Sequence, residues 1–139
     1  MPVTMKVKDV MDRNVVTIDS GASVDEAVKK MVQHRVWSLV VERKGTSEGV
    51  VTERDVIRRC VAKGLPTTKT PVGDIVSAPL ITVAPDATLR QAMDLMAAKD
   101  IRRLFVVDKG KIVGRVTQTE VFQSTLSVME ILSSLTSTL

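Results

Sequence analysis

The chain of 139 residues contains one sequence unit twice. When the sequence is shifted by 65 positions, residues 7–56 align with residues 72–121 without a gap, and 14 of the 50 aligned pairs are identical. The closing elements align well, since Gly49-Val-Val-Thr-Glu-Arg-Asp falls on Gly114-Arg-Val-Thr-Gln-Thr-Glu. A duplicated unit of this length predicts a pseudo-two-fold molecule with paired sites.

The composition is that of a folded globular chain. Hydrophobic residues make up 44% of it and charged residues 26%, which argues against disorder. No apolar run is long enough to cross a membrane, and the first ten residues have no apolar core of a secretory signal. The single cysteine, Cys60, cannot form an internal disulfide. We therefore expect a protein of the reducing cytoplasm without a membrane partner.

The net charge of +4 suits either nucleic acid or a small anionic ligand. The basic residues are spread among 16 acidic ones, and the chain has no Tyr, one Trp and two Phe. These aromatic residues are too few for a platform on which bases stack. Nucleic-acid binding therefore ranks third among the functions considered below.

Each repeat is predicted to fold as strand, helix, strand, strand, helix. Ser23 with Glu26, and Thr88 with Gln91, have the spacing of a capping box, and apolar residues follow at i, i+3, i+4 and i+7. Thr52 and Thr117 open the closing helices. The predicted strands are 15–18, 37–41, 49–51, 80–83, 104–107 and 111–116. We predict a first unit at 1–64, a linker at 65–71, a second unit at 72–125 and a helical tail at 126–139.

Several segments resemble one known family. They are VKDVM at the start, HRVWSLVVE and DIRRLFVVD along the second strands, and Gly-x-Val-Thr-x-x-Asp/Glu at the end of each repeat. Over residues 5–123 the chain resembles a pair of CBS domains, also called a Bateman module. The resemblance implies an α/β protein with mixed α+β sheets, built of two pseudo-two-fold related βαββα units. It also implies a regulatory role through AMP, ADP, ATP or a related adenosyl compound bound in clefts between the units.

The Thr-x-x-Asp element has a physical interpretation of its own. Thr52 lies where a strand passes into a helix, so free N–H groups and the positive end of the helix dipole are available there. Asp55 offers two acceptor oxygens for the adjacent hydroxyls of a ribose. Thr52 with Asp55, and Thr117 with Glu120, also have capping-box spacing. Capping and ligand binding do not exclude each other.

The resemblance implies two clefts of unequal quality. In the second, Glu120 is one methylene longer than the usual Asp, and Trp37-Ser38 replaces the Arg102-Arg103 pair expected to meet phosphates. Core or interface packing is the alternative for Trp37, and a solvated helix face is the alternative for Arg54. The favoured cleft comprises Thr52, Arg54, Asp55, Val76, Leu80, Ile81, Arg102 and Arg103. The second, doubtful cleft comprises Met11, Val16, Trp37, Ser38, Thr117 and Glu120.

Three functions remain open from the sequence. The first is a non-catalytic nucleotide sensor, the second a structural dimerisation or protein-interaction module with vestigial clefts, and the third a nucleic-acid binder. Neither a metal-ligand cluster nor a Ser–His–Asp set is evident, so we expect no metal site and no catalysis. The helix faces rich in Val, Ile, Met and Leu predict a homodimer, and an effector protein is the other macromolecular partner considered.

Overall fold

A computed structural model describes residues 4–137 and shows two three-stranded sheets. In each sheet the first strand runs parallel to the second, and the second runs antiparallel to the third. This arrangement confirms the predicted mixed α+β fold. The strands are β1 (Thr17–Asp19), β2 (Ser38–Arg43), β3 (Thr46–Thr52), β4 (Thr82–Val83), β5 (Arg103–Asp108) and β6 (Lys111–Thr117).

The helices follow the predicted order. Each repeat also has one short helical segment, not predicted, before its first strand. These segments span three or four residues, too few for apolar periodicity to reveal them. The helices are α1 (Val7–Val10), α2 (Val24–His34), α3 (Glu53–Asp55), α4 (Leu89–Lys99) and α5 (Gln118–Ser137), with a π-helical continuation of α3 at Val56–Val61 and a 3₁₀ turn at Val72–Asp74.

The long helices begin and end as their caps dictate. The Oγ atom of Ser23 accepts a hydrogen bond from the backbone N–H of Glu26 at 3.1 Å, and Thr88 and Gln91 form a reciprocal capping box. Both helices end at a residue in the left-handed conformation, with φ of 55° at Arg35 and 52° at Asp100. These ends direct the chain back toward the next strand.

Both hairpins turn through a Lys-Gly pair in the left-handed region. The φ angles are 53° and 77° at Lys44 and Gly45, and 51° and 79° at Lys109 and Gly110. Two successive positive φ angles are typical of the two-residue turn whose twist matches antiparallel strands. The predicted turns are thereby confirmed.

By their contacts, residues 15–81 form one unit, and residues 4–14 form the other together with 82–137. In the first unit Ala27 and Met31 of α2 pack with Leu39, Val41 and Val51 of the sheet, and all five are buried. The buried apolar residues of the other unit are Val7, Ala92, Met96, Leu104, Phe105, Val106, Val116 and Val121.

The opening segment of each repeat pairs with the last strand of the other repeat. Ser77 and Val50 exchange two backbone hydrogen bonds of 2.8 and 2.9 Å, and Asp12 and Arg115 exchange two of 2.8 Å. Residues 12 and 77 are aligned positions of the repeat, as are 50 and 115. Each folded unit therefore contains most of one repeat together with the opening segment of the other repeat.

Candidate functional site

The site is built around the start of α3. The backbone N–H of Thr52 donates to Oδ2 of Asp55 at 2.9 Å, and the N–H of Asp55 donates to Oγ1 of Thr52 at 3.3 Å. The Thr52 hydroxyl also lies 3.1 Å from Oδ2 of Asp55. The predicted capping box is confirmed, and it fixes the orientation of the carboxylate.

Two further side chains complete the surroundings of Asp55. The Ser77 hydroxyl donates to Oδ1 of Asp55 at 2.9 Å, and Nε of Arg59 lies 3.7 Å from the same oxygen. Arg59 is held in turn by a hydrogen bond of 2.9 Å from its Nη1 to the carbonyl oxygen of Val76. The carboxylate is thus satisfied by hydroxyl, amide and guanidinium groups, and Asp55 is only 8% exposed.

Sequence reasoning missed both Ser77 and Arg59. Arg59 stands four residues after Asp55, a spacing that favours an ion pair on a helix and could have identified it. Ser77 lies 22 residues beyond Asp55 and arrives through the backbone pairing with Val50. No local sequence pattern predicts the pairing of Ser77 with Val50.

Gly49 lets the segment carrying Ser77 come close. A Cβ atom at Gly49 would lie 2.2 Å from the backbone oxygen of Ser77 and 3.0 Å from Cγ2 of Val76. The contact with the backbone oxygen is not tolerable for a side chain, and the contact with Val76 is tighter than most. Glycine is therefore required for Ser77 to reach the Asp55 carboxylate.

The structure distributes the favoured set between the two units. Arg54 is exposed, while Val76, Leu80 and Ile81 are partly buried and belong to the same unit as Thr52 and Asp55. The two arginines at 102 and 103 belong to the other unit, just before and at the start of β5.

Ser38, which the resemblance placed in the second cleft, lies in the same unit as Thr52 and is its partner across the β2–β3 ladder. It is 3% exposed, and its hydroxyl has no hydrogen-bond partner among residues 4–137. Val16 of that set is partly buried in this unit as well. Core packing was one alternative for Trp37, and it is wrong because the side chain is 65% exposed.

The unit of 4–14 and 82–137 has the corresponding elements with different chemistry. Thr117 donates its backbone N–H to Oε2 of Glu120 at 2.9 Å, and its hydroxyl bonds the same oxygen. At the position of Ser77 stands Asp12, which forms an ion pair of 3.1 Å with Nη2 of Arg115. The Asp12 carboxylate, paired with Arg115, therefore stands in this unit where the other unit has the Ser77 hydroxyl.

The pKa of Asp12 lies below its ordinary value. The main cause is the backbone N–H of Asn14, which donates to Oδ1 at 2.8 Å. Arg115 lowers the pKa further, and partial burial opposes both effects. Met11 was predicted to belong to the second cleft. It packs beside Gly114, where an added Cβ would lie 2.7 Å from the methionine sulfur.

The described part of the chain lacks both a metal-binding cluster and a membrane-spanning helix. Residues 4–137 contain no group of three or more His, Cys, Asp or Glu side chains arranged to hold a metal ion. None of the helices among them combines the length and apolar character needed to span a bilayer.

Comparison with known proteins identifies the fold and the repeat together. The family model described as "CBS domain" matches residues 7–62 and again residues 72–127. The chain belongs to the CBS-domain family. Tandem CBS domains are typically regulatory, ligand-binding modules, which agrees with the repeat and with the cradle of polar groups around Asp55.

Relatives of similar length support the assignment. The CBS domain-containing protein YhcV of Bacillus subtilis is 37% identical over 108 residues, covering 78% of this chain and 76% of that protein. A crystal structure of a conserved protein from Pyrococcus horikoshii aligns with a TM-score of 0.81 and 31% identity, over 90% and 95% of the two chains. A hexameric CBS-CP12 protein from bloom-forming cyanobacteria aligns with a TM-score of 0.80 and 28% identity, over 87% and 68%.

Proposed function

We propose that this chain is a non-catalytic regulatory module that binds an adenosine nucleotide, with Thr52 and Asp55 holding the ribose. AMP, ADP and ATP share the adenosine portion that these residues would contact, so the proposal names this class of ligand. Binding would change the affinity for an effector protein by favouring one conformation of the module.

The observation that carries the proposal is the set of partners around Asp55. Its two oxygens accept from the hydroxyls of Ser77 and Thr52 as well as from a backbone N–H. A carboxylate that gathers hydroxyl groups in this way is suited to the adjacent 2′ and 3′ hydroxyls of a ribose. The ribose would replace Ser77 at Oδ1, because a carboxylate has only about four acceptor positions.

Cations near this element suit a phosphorylated ligand. Arg54, Arg58 and Arg59 follow Thr52 within eight positions, and Arg54 and Arg58 are exposed. The family resemblance adds Arg102 and Arg103 as phosphate contacts. Guanidinium groups bind phosphate oxygens through paired hydrogen bonds, so the proposed ligand is anionic.

Calorimetric titration with adenosine, AMP, ADP and ATP tests the proposal. We expect Asp55→Ala to cost about 1.5–3 kcal/mol, a loss of roughly ten- to a hundredfold in nucleotide affinity. Asp55→Asn retains the shape of the cap and should also weaken binding. Glu120→Ala is the matched control, since it removes the equivalent carboxylate of the other unit, and it should change the affinity little.

Two results would contradict the proposal. One is a folded wild-type chain that binds no adenosine compound. The other is binding that Glu120→Ala abolishes and Asp55→Ala leaves intact. Thermal denaturation of each variant separates loss of the cap from loss of the ligand, because a cap residue alone changes stability without any binding to lose.

A structural dimerisation module is the second candidate, favoured by exposed apolar side chains on the helices. Val32, Ile57 and Val61 are 57–71% exposed in one unit, and Met93 and Phe122 are 51% and 63% exposed in the other. Apolar helix faces of this kind are typical of interaction surfaces. We propose that the chain self-associates as a homodimer, whether or not a nucleotide binds.

A further inference from the structure

The first sheet carries its capping threonine on a face of small and aliphatic side chains. Because side chains alternate along a strand, the residues of β2 and β3 that lie between those packed with α2 share the opposite face. This site face contains two cross-strand pairs, Ser38 with Thr52 and Val40 with Val50. Beside the threonine that caps Asp55, the sheet therefore presents aliphatic side chains against which an apolar base can pack.

The site face of the second sheet differs in polarity. Its cross-strand pairs are Arg103 with Thr117 and Phe105 with Arg115. Phe105, at the position of Val40, keeps that place apolar, and an aromatic ring is as suitable a neighbour for a flat base as an aliphatic chain. At the position of Val50, however, Arg115 puts a guanidinium group two residues before the capping threonine.

The opening segment holds this arginine in an ion pair. Nη2 of Arg115 lies 3.1 Å from Oδ2 of Asp12, and the Arg115 side chain is only 13% exposed. Oδ1 of Asp12 accepts the backbone N–H of Asn14 at 2.8 Å, and the backbones of Asp12 and Arg115 exchange two further hydrogen bonds. A ligand that displaced either charged group would leave the other without its partner, which is costly for a group with little exposure.

The pair also changes what the site offers to a ribose. In the first unit the aligned residue is Ser77, an uncharged hydroxyl that donates to the Asp55 carboxylate. Asp12 cannot donate in this way, because its lowered pKa keeps it ionised at neutral pH. A nucleotide brought to Glu120 would meet a second carboxylate with the same sign of charge as its phosphate, and the cation beside that carboxylate is already paired.

We propose that the Asp12–Arg115 ion pair is the specificity determinant that excludes adenosine nucleotides from the site at Glu120, so that only the site at Asp55 is occupied. Charges that a ligand cannot satisfy discriminate against it as effectively as favourable contacts select for it. The inference deepens the proposed function and rests on it. It assigns the difference between the two sites to residues outside both Thr-x-x-Asp/Glu elements, and not to the greater length of Glu120.

An exchange of two residues tests the proposal. Asp12→Ser with Arg115→Val gives the second unit the residues of the first, and calorimetric titration with AMP should then show about two nucleotides per chain where the wild type binds about one. Combined with Asp55→Ala, which removes the first site, the exchange should raise AMP affinity at least about tenfold over Asp55→Ala alone. Glu120→Asp changes only the length of the carboxylate, and as the matched control it should leave the stoichiometry as in the wild type.

The reciprocal exchange gives a second readout that does not depend on the stability of the first variant. Ser77→Asp with Val50→Arg places the ion pair beside Asp55, with Thr52 and Asp55 themselves unchanged. We expect this variant to lose AMP affinity about 30-fold or more. Thermal denaturation of every variant establishes that the capped helix start is still folded.

Three outcomes would overturn the proposal. The first is an unchanged stoichiometry in the folded Asp12→Ser, Arg115→Val chain, and the second is a new site created by Glu120→Asp alone. The third is a wild type with two sites, one of which Arg115→Val removes. Arg115 would then be a phosphate contact through its Nε atom, which is buried without a hydrogen-bond partner among residues 4–137. A wild type that binds no nucleotide contradicts the proposed function itself, and this inference with it.

Discussion

Ser77 holds Oδ1 of Asp55 through a hydrogen bond of 2.9 Å that spans 22 residues of sequence. The bond joins the opening segment of one repeat to the closing helix of the other, at the carboxylate proposed to bind ribose. A ligand hydroxyl and the Ser77 hydroxyl therefore compete for one oxygen. Occupancy of the site and the position of this segment should be coupled.

Replacing Ser77 by alanine tests this competition. We expect Ser77→Ala to bind AMP as tightly as the wild type or several-fold tighter, because the oxygen no longer exchanges one partner for another. The free energy of unfolding without ligand should fall by about 1 kcal/mol with the lost hydrogen bond. Calorimetry and thermal denaturation measure the two effects, with exposed Ser47→Ala as control. A large loss of affinity would show that Ser77 is itself a ligand contact.

The proposed phosphate contacts predict a difference between ligands. Arg102→Ala should weaken AMP binding about tenfold, which corresponds to about 1.4 kcal/mol, and leave adenosine binding unchanged. Arg90→Ala removes an exposed arginine paired with Asp94 on α4 and serves as the control. Equal losses for adenosine and AMP in Arg102→Ala would mean that this arginine acts on the fold and not on the phosphate.

The glycines of the two closing strands should respond differently to alanine. At Gly49 the added Cβ meets backbone at 2.2 Å, so we expect a loss of about 2–3 kcal/mol and weaker nucleotide binding. At Gly114 it meets the flexible side chain of Met11 at 2.7 Å and backbone only at 3.1 Å, at the oxygen of Asp12, so the loss should be smaller, about 1 kcal/mol. Urea denaturation measures both, and a greater loss at Gly114 would contradict the steric argument.

The hydrogen bond from the backbone N–H of Asn14, together with the ion pair to Arg115, lowers the pKa of Asp12 and so predicts a dependence of stability on pH. The folded-state pKa of Asp12 is lowered from 3.8, so its stabilisation is present above that value and is lost as the pH falls through the folded pKa. Because the Asp12 side chain is 37% exposed and solvent screens its charge, we expect Asp12→Asn to lose only about 0.5–1 kcal/mol at pH 7. The difference from the wild type should shrink below pH 4, and a constant difference down to pH 2 would exclude this linkage.

The sequence predicts the fold well because its signals are local and occur twice. Capping residues such as Thr88, the two Lys-Gly turns and the apolar spacing in α2 and α4 each specify a piece of backbone without distant partners. The same holds for Thr52 with Asp55, whose capping spacing is visible in the sequence and realised in the structure.

The surroundings of the site were less predictable, since they depend on contacts between distant segments. Ser77 reaches Asp55 only when its backbone has paired with Val50 of β3, and Ser38 faces Thr52 through strand register. The alignment of the sequence with itself, shifted by 65 positions, shows that Asp12 corresponds to Ser77 and Arg115 to Val50. It does not show that each pair meets in space.

The exchanged opening segments determine which unit can fold first during synthesis. Residues 4–14 leave the ribosome before the rest of the described chain, yet their partners in β6 are complete only after residue 117 has been made. The folding of the unit of residues 15–81 is not delayed in this way, since Ser77, which pairs with β3, follows the end of that strand by about 25 positions. A polypeptide truncated near residue 100 would therefore carry one finished unit and an opening segment without its β6 partner, open to pairing with the β6 strand of a neighbouring polypeptide.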